Sequence, residues 1–216
     1  LASLFGHLAM RPAIAARMLP LLQGLPGLLT QSARWSGKIR GLVVERGMAG
    51  FSTPETHNKW SLRASATGEL VFDNVKVPNE NIFPNVSGLK GPLGCLNQAR
   101  YGIAWGAIGA AMDCYDTALR YSKERVQFGR PIAGFQLQQK KLAEMITEIT
   151  KAQLLVWRLG TLKNENRATP AQISMAKRNS VETAITIARE ARQMLGGMGI
   201  TGEYPIMRHL MNLESV

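Results

Sequence analysis

Residues 93–136 read LGCLNQARYGIAWGAIGAAMDCYDTALRYSKERVQFGRPIAGFQ, and they contain the strongest helical pattern of the chain. Its first part has apolar side chains at every third or fourth position, which predicts one continuous amphipathic helix. We expect this helix to end near Phe128–Gly129, because a glycine stop is followed there by Pro131. The apolar stripe consists of Leu96, Ala99, Ile103, Ala107, Ala110, Cys114, Ala118 and Tyr121.

Three glycines, Gly102, Gly106 and Gly109, lie close to that stripe. A glycine costs a helix roughly 1 kcal/mol relative to alanine, so three of them indicate that something approaches the helix closely. A neighbouring helix and a flat ligand are the two explanations. The first is favoured, because small residues commonly serve helix packing.

Helical patterns continue downstream. A second helix is expected over about Phe135–Lys163, where apolar residues again recur on one face. A third helix has a clear start, with Thr169 as N-cap, Pro170 in the first helical position and Gln172 completing a capping box. It is expected to stop at Gly196–Gly197.

The fourth helix is expected to start near Glu203, with Pro205 in its first turn. Four helices joined by short connections predict a mainly α fold with an up-down bundle over residues 93–216. The last helical pattern reaches Val216 without a stop signal, so we expect the bundle to be truncated at its end.

Residues 37–78 have β character. Strands are predicted at Lys38–Glu45, Trp60–Arg63 and Leu70–Val77, separated by glycine-containing turns. Three strands with open edges do not form an independent domain, so we interpret this region as the remnant of a β domain. Residues 79–92, rich in Pro, Gly and Asn, are interpreted as a linker.

Residues 1–36 stay unassigned. They contain three arginines and no acidic residue, a composition that is also typical of an organellar targeting segment. Pro12, Pro20 and Pro26 would interrupt the amphipathic helix of such a segment. We therefore favour non-native sequence ahead of a fragment.

The chain of 216 residues is 45% hydrophobic and 19% charged, which is an ordinary globular balance. Its net charge of +11 is compatible with a nucleic acid, an anionic membrane or a phosphorylated ligand. The basic residues alternate with acids on helical faces, so solvated surfaces are favoured and no nucleic-acid partner is expected. No stretch reaches the roughly 18 apolar residues of a membrane span.

Cysteine and histidine use argues against a disulfide and against a metal site. Cys95 and Cys114 would lie roughly 28 Å apart on one helix, whereas a disulfide requires Cα atoms within about 7 Å. A reducing compartment is therefore expected. Three histidines without a Cys/His cluster predict no metal centre.

Four segments carry a family resemblance. They read KWSLRASATG (59–68), GCLNQARYGIAWGAIGA (94–110), QFGRPIAGFQLQQKKLAEMITEIT (127–150) and RQMLGGMGITGEYPIMRHLMNLESV (192–216). In order and spacing they resemble the acyl-CoA dehydrogenases, and within that family the glutaryl-CoA dehydrogenases. The resemblance covers about Gly37 to Val216.

The resemblance implies an FAD-dependent enzyme that oxidises glutaryl-CoA and releases carbon dioxide to give crotonyl-CoA. It implies a homotetramer built as a dimer of dimers, and an electron-transfer flavoprotein as electron acceptor. The location implied is the mitochondrial matrix in a eukaryote or the cytoplasm in a bacterium. The family's catalytic glutamate lies in a Y-E-G-T-like segment expected just after Val216. Glu214 does not match that base, so the fragment alone is expected to be inactive.

The resemblance also implies flavin contacts. The arginine matching Arg125 contacts the FAD pyrophosphate across a dimer interface, although by residue type Arg125 is equally a surface charge near a helix end. Gln136 matches another FAD-contacting position, and Phe128 packs beside it. Gln193 and Gly197 match positions near the adenosine end of the partner subunit's FAD, where a helix stop alone would also explain the glycine.

The segment that matches the acyl-CoA contacts is the start of the first helix. By residue type Asn97 and Arg100 are equally compatible with simple capping of that helix. The arginine matching Arg100 sits beside the catalytic glutamate, where a buried cation would help to keep the base ionised. The predicted substrate-binding residues are Leu93, Gly94, Cys95, Leu96, Asn97, Gln98, Ala99 and Arg100.

Two other classes of function stay open as alternatives. A basic helical nucleic-acid-binding module would bind through many phosphate contacts, with a steep salt dependence. A non-catalytic helical scaffold would show neither nucleic-acid binding nor flavin chemistry.

Overall fold

The structure is a computed structural model, and it describes residues 39–216 of the chain. The interpretation of residues 1–36 therefore lies outside the described residues. Two compact units are present, one containing residues 39–58 and 65–99, the other containing residues 59–64 and 100–216. No helix in the described part is long and apolar enough to cross a membrane.

The first unit is built on short β pairings. Strand β1 (Phe51–Ser52) runs antiparallel to β2 (Val71–Phe72). The rings of Phe51 and Phe72 stack across this pair with centroids 5.1 Å apart. A 3-10 turn at Asn79–Asn81 follows, and an isolated bridge joins Leu42 to Ile82.

The three predicted strands are largely wrong in extent. Of Leu70–Val77 only Val71–Phe72 is a strand, and Trp60–Arg63 forms a turn. Within the described part of Lys38–Glu45, Gly41 and Val43 instead exchange backbone hydrogen bonds with the segment 81–83, at 2.9 Å and 2.8 Å. These hydrogen bonds satisfy the backbone groups of Gly41 and Val43 without a regular strand.

The second unit confirms the mainly α fold class. Within residues 39–216 the helices are α1 (Lys90–Glu124), α2 (Gln136–Asn164), α3 (Pro170–Met194) and α4 (Ile206–Leu213). Helix α1 begins in the first unit and continues through the second. A 3-10 turn at Gly196–Ile200 separates α3 from α4.

The core of the bundle is lined largely by alanine, which allows helices to approach closely. The predicted stripe of α1 is confirmed at Ala107, Cys114 and Ala118, which are buried. Ile103, Ala110 and Tyr121 of that stripe are half-buried against the same core. Larger side chains from the other helices complete it, and each contributes roughly 1.5–3 kcal/mol by burial. They include Leu142, Met145, Ile149, Ile187, Leu195 and Ile206.

The three glycines of α1 do not face another part of the described chain. Gly102, Gly106 and Gly109 are exposed, and a Cβ atom at any of them would meet no atom within 4 Å. The favoured explanation, a neighbouring helix, is therefore wrong for residues 39–216. The stripe of small residues lies on the outer face of α1, opposite the alanines that enter the core.

Helix α1 ends at Glu124, which is earlier than the predicted stop at Phe128–Gly129. The chain instead forms a hairpin, because Phe128 and Gly129 both adopt left-handed backbone angles, with φ of 54° and 79°. Two successive positive φ values match the twist of a two-residue hairpin turn.

The other helix boundaries lie close to the predictions. Helix α2 follows Phe135, and α3 begins after Thr169 with the predicted capping box. Helix α3 ends at Met194, just before Gly196, whose φ is 59°. Helix α4 begins at Ile206, after Pro205, so the predicted start near Glu203 is early.

Candidate functional site

A hairpin connects α1 to α2 and places the predicted flavin-contacting residues. Strand β3 (Val126–Gln127) pairs antiparallel with β4 (Arg130–Pro131). The carbonyl oxygen of Arg125 accepts a hydrogen bond of 2.9 Å from the N–H of Ile132, which closes the hairpin at its base. A 3-10 turn at Ile132–Gly134 then leads directly into α2.

The hairpin presents an exposed aromatic surface beside positive charge. Phe128 occupies the tip and is 87% exposed. Its ring lies edge-on to Phe135, with centroids 6.3 Å apart. The guanidinium carbon of Arg130 lies 4.1 Å from the centre of the Phe135 ring, and Arg125 at the base is exposed. A flat ligand with an anionic part would meet complementary groups here.

The start of α2 has no side-chain cap. Phe135 is the N-cap and supplies no side-chain hydrogen bond, and the first turn contains no acidic residue. Gln138, two residues into that turn after Gln136, has a buried Oε1 atom that accepts no hydrogen bond from the described residues. The first N–H groups of a helix point outward and attract anions when no side chain caps them.

Gln193 lies at the same end of the bundle as the start of α2. Its Oε1 atom accepts a short hydrogen bond from the Nζ atom of Lys141, which also forms an ion pair of 2.8 Å with Glu190. Lys141 follows Gln136 by about 7.5 Å along α2. The structure therefore places the last turn of α3 near the hairpin end of α2.

Gly197 lies in the turn after α3, where it is exposed and has open space around it. The neighbouring Gly199 was missed by sequence reasoning. A Cβ atom at Gly199 would lie 2.3 Å from the carbonyl oxygen of Arg192, so only glycine fits there. The signal was present as the third glycine of the run GGMG, but the first two already explained a helix stop.

The predicted substrate-binding residues lie along the first part of α1. Leu96, Asn97 and Arg100 are half-buried, and the other five are exposed. Arg100 lies about 36 Å from the last residue of α1, at about 1.5 Å per residue. Within the second unit, Arg100 and the hairpin of one chain are therefore far apart.

Two titratable side chains of the second unit, Cys114 and His209, lie in or against the packed helices and not at the hairpin. Burial, followed by the nearby charge of Asp113, raises the pKa of the Cys114 thiol to about 12, so this thiol is neutral and unreactive near pH 7. His209 Nε2 lies 2.7 Å from Asp113 Oδ2 and joins α4 to α1. Among residues 39–216, no group of three or more His, Cys, Asp and Glu side chains could hold a metal ion.

The sequence matches a family model and known proteins. The model described as acyl-CoA dehydrogenase, C-terminal domain, matches residues 87–215. A glutaryl-CoA dehydrogenase of Desulfococcus multivorans is 38% identical over 182 residues, which cover 83% of this chain and 46% of that protein. A short-chain specific acyl-CoA dehydrogenase of Megasphaera elsdenii is 36% identical, covering 86% of this chain and 49% of that protein. The chain spans about half the length of these relatives.

Solved structures show the same relationship. Glutaryl-CoA dehydrogenase from Mycobacterium smegmatis superposes with a TM-score of 0.80 at 52% identity, covering 82% of this chain and 46% of that one. A second structure of a glutaryl-CoA dehydrogenase from that organism, in complex with FADH2, gives 0.80 at 49% identity, with the same coverage. An electron transferring flavoprotein structure from Acidaminococcus fermentans gives 0.76 at 36% identity, covering 81% of this chain and 46% of that one.

Proposed function

The chain belongs to the acyl-CoA dehydrogenase family, and on that premise we propose that it supplies the C-terminal helical part of an FAD-dependent glutaryl-CoA dehydrogenase. FAD is the cofactor of this family, and its flavin ring, when bound, accepts a hydride from the substrate. The single observation that carries the proposal is the start of α2, which lacks a side-chain cap, follows the hairpin that Arg125 closes at its base, and has the Arg130 guanidinium over the ring of its N-cap residue.

The residues at the start of α2 fit the pyrophosphate of FAD. The first turn of α2 has no side-chain cap, so the N–H groups of Gln136 and Leu137 can donate to phosphate oxygens, and Arg125 and Arg130 add guanidinium donors on the hairpin. The Gln136 amide can donate from the first helical position. The exposed Phe128 ring offers an apolar surface next to these donors.

The separation along α1 supports a site shared between two subunits. About 36 Å lies between Arg100 and the hairpin, which exceeds the span between a flavin ring and its own pyrophosphate. The hairpin of one chain and the acyl-CoA segment of the same chain then serve different active sites. We therefore propose a homo-oligomer, a dimer of dimers, in which Arg125, Gln193 and Gly197 approach a flavin held mainly by the partner subunit.

The substrate proposal concerns the first turns of α1. The segment from Leu93 to Arg100 would contact acyl-CoA through its exposed residues, while the half-buried Arg100 would stand beside the catalytic base. Glutaryl-CoA as the acyl group is supported by the 52% identity to the glutaryl-CoA dehydrogenase of Mycobacterium smegmatis. The electron acceptor in this proposal is an electron-transfer flavoprotein, and the location is the mitochondrial matrix or the bacterial cytoplasm.

The catalytic base in this proposal is not among the described residues. Glu214 is the nearest acid to the position where the family's glutamate is expected, but its carboxylate is paired with Arg189. That ion pair favours a structural role for Glu214 and leaves the base to the segment expected after Val216. Residues 1–216 should therefore turn over no glutaryl-CoA at a measurable rate, since general-base catalysis typically contributes about 100- to 10,000-fold.

The test uses purified residues 1–216 with FAD, glutaryl-CoA and an artificial electron acceptor. Crotonyl-CoA is followed, and circular dichroism confirms that the helices are folded. We expect no crotonyl-CoA above the rate without protein. Turnover near that of a full-length relative would contradict the proposal and would make Glu214→Gln the first variant to examine.

A further inference from the structure

Leu62 adopts a backbone conformation that leucine rarely occupies. Its φ is 49°, in the left-handed region where the Cβ atom crowds the backbone. Among residues 39–216, the other non-glycine positions with positive φ are three asparagines and Phe128 of the hairpin turn. Asparagine tolerates this region and Phe128 belongs to a defined turn, so Leu62 requires a separate cause.

Two side chains hold the backbone of Leu62 in this conformation. Its N–H donates a hydrogen bond of 2.7 Å to Oδ1 of Asn212, on the last turn of α4. Its carbonyl oxygen accepts a hydrogen bond of 2.9 Å from the Nζ atom of Lys59. Both polar groups of Leu62 are therefore satisfied, and one partner lies 150 residues away in the sequence.

The turn 59–64 is not anchored in the hydrophobic core of the bundle. Trp60 is 81% exposed, and Leu62, at 38% exposure, belongs to neither hydrophobic core cluster of the described residues. The buried Oγ atom of Ser61 has no hydrogen-bond partner among the described residues. A long-range hydrogen bond, from the Leu62 N–H to Asn212 Oδ1, joins this turn to α4.

We propose that Asn212 is a positioning residue that clasps the turn 59–64 onto α4 by fixing the left-handed conformation of Leu62. The turn and the last part of α4 then move as one body. This inference concerns residues of the second unit alone and does not depend on the flavin chemistry proposed above.

The test is amide hydrogen exchange at residues 60–63 in the full 216-residue chain. In Asn212→Ala, exchange at the Leu62 amide should rise at least about fivefold, because the acceptor is lost. Asn212→Asp keeps an acceptor oxygen and should stay within about twofold of the parent. Unchanged exchange in Asn212→Ala, or equal acceleration in both variants, would overturn the proposal. Thermal unfolding of the helices serves as the control for global stability.

A second variant keeps the test decisive if Asn212→Ala does not fold. Leu62→Gly retains the N–H donor and removes the crowded Cβ atom, so the left-handed conformation becomes easier to adopt. We expect exchange at residue 62 to slow by about threefold in this variant, because the hydrogen bond to Asn212 Oδ1 is kept and the strain is removed. Faster exchange in Leu62→Gly than in the parent would contradict the clasp.

Discussion

Helices α2 and α3 lie in the same bundle and have glutamine at the same position of their first turns, yet their starts differ. At α3, Thr169 Oγ1 accepts from the N–H of Gln172 at 3.3 Å, and Gln172 Oε1 accepts from the N–H of Thr169 at 2.9 Å. At α2, the N-cap is Phe135 and the corresponding Gln138 Oε1 has no partner among the described residues.

The difference identifies which helix start is available to a ligand. The capping box uses the outward N–H groups of α3 within the chain, as a purely structural end requires. At α2 the N–H of Gln138 donates instead to the carbonyl oxygen of Phe135 at 3.0 Å, so no side chain caps the first turn, which forgoes roughly 1 kcal/mol of capping stabilisation. Arg130, whose guanidinium carbon lies 4.1 Å from the centre of the Phe135 ring, adds positive charge at this helix start.

The largest expected effect on stability concerns the turn that follows the end of α3. Gly199→Ala would place a Cβ atom 2.3 Å from the backbone oxygen of Arg192, which cannot move aside easily. We expect the free energy of unfolding to fall by about 3 kcal/mol in urea denaturation. Gly197→Ala, with open space around it, is the matched control and should change stability little.

Alkaline unfolding tests the core on which both helices pack. Burial raises the pKa of Cys114 from 9.0 to about 12, so the folded state binds the thiol proton more tightly than the unfolded state. The contribution of the neutral Cys114 thiol to the free energy of unfolding is fully present below about pH 9, and it is lost as pH rises toward 12. At pH 10 the loss should be roughly 1.4 kcal/mol, one pKa unit.

Cys114→Ala should remove that alkaline dependence, as measured by urea midpoints between pH 8 and pH 11. Cys114 packs in the cluster that contains Met145 of α2 and Ala184 of α3. In the alkaline unfolding of the parent protein, both helices should therefore lose structure together. Separate unfolding of α2 and α3 would show that the two helices are not held by one core.

Removal of the α3 cap is the next largest effect. Thr169→Ala should lower the free energy of unfolding by about 1 kcal/mol, since the capping box loses one of its two reciprocal hydrogen bonds. Thr169→Ser, which keeps the hydroxyl, is the control and should stay close to the parent. Equal stability of the alanine variant and the parent would mean that the stability of α3 does not depend on its capping box.

Installing a cap at α2 should have the smallest effect on stability. Phe135→Ser would offer Gln138 a reciprocal partner, but it removes the ring that contacts Phe128 and Arg130. We expect a net change within about 1 kcal/mol, together with weaker FAD binding in a fluorescence titration. Phe135→Leu removes the ring without adding a cap, so the difference between the two variants isolates the effect of closing the helix start.

The sequence predicted those features that local chemistry determines. The box of Thr169 and Gln172 and the alanine face of α1 were readable because both depend on neighbours within one or two helical turns. The end of α1 was not, because the hairpin depends on Phe128 accepting a left-handed conformation that glycine or asparagine usually takes.

Long-range relationships explain the other differences. The outward position of Gly102, Gly106 and Gly109 depends on which face of α1 enters the core, and an alanine-rich helix leaves that face ambiguous. The hydrogen bond between Leu62 and Asn212 joins residues 150 positions apart, and no local sequence pattern predicts it. The family resemblance supplied the candidate flavin residues, while the missing cap at Phe135 emerged only from the comparison of two helix starts.

The most direct test of the flavin-binding proposal is an FAD titration of the 216-residue protein, followed by the change in flavin fluorescence. Arg125→Ala removes a guanidinium from the base of the hairpin that leads into α2, and Arg158→Ala removes the same charge from an exposed position in the second half of that helix. We predict that Arg125→Ala weakens FAD binding at least about tenfold, in line with the loss of a charge-assisted hydrogen bond, while Arg158→Ala changes it less than about twofold. Equal weakening in the two variants, or none in Arg125→Ala, would contradict the assignment of the hairpin end of α2 as the flavin-binding end.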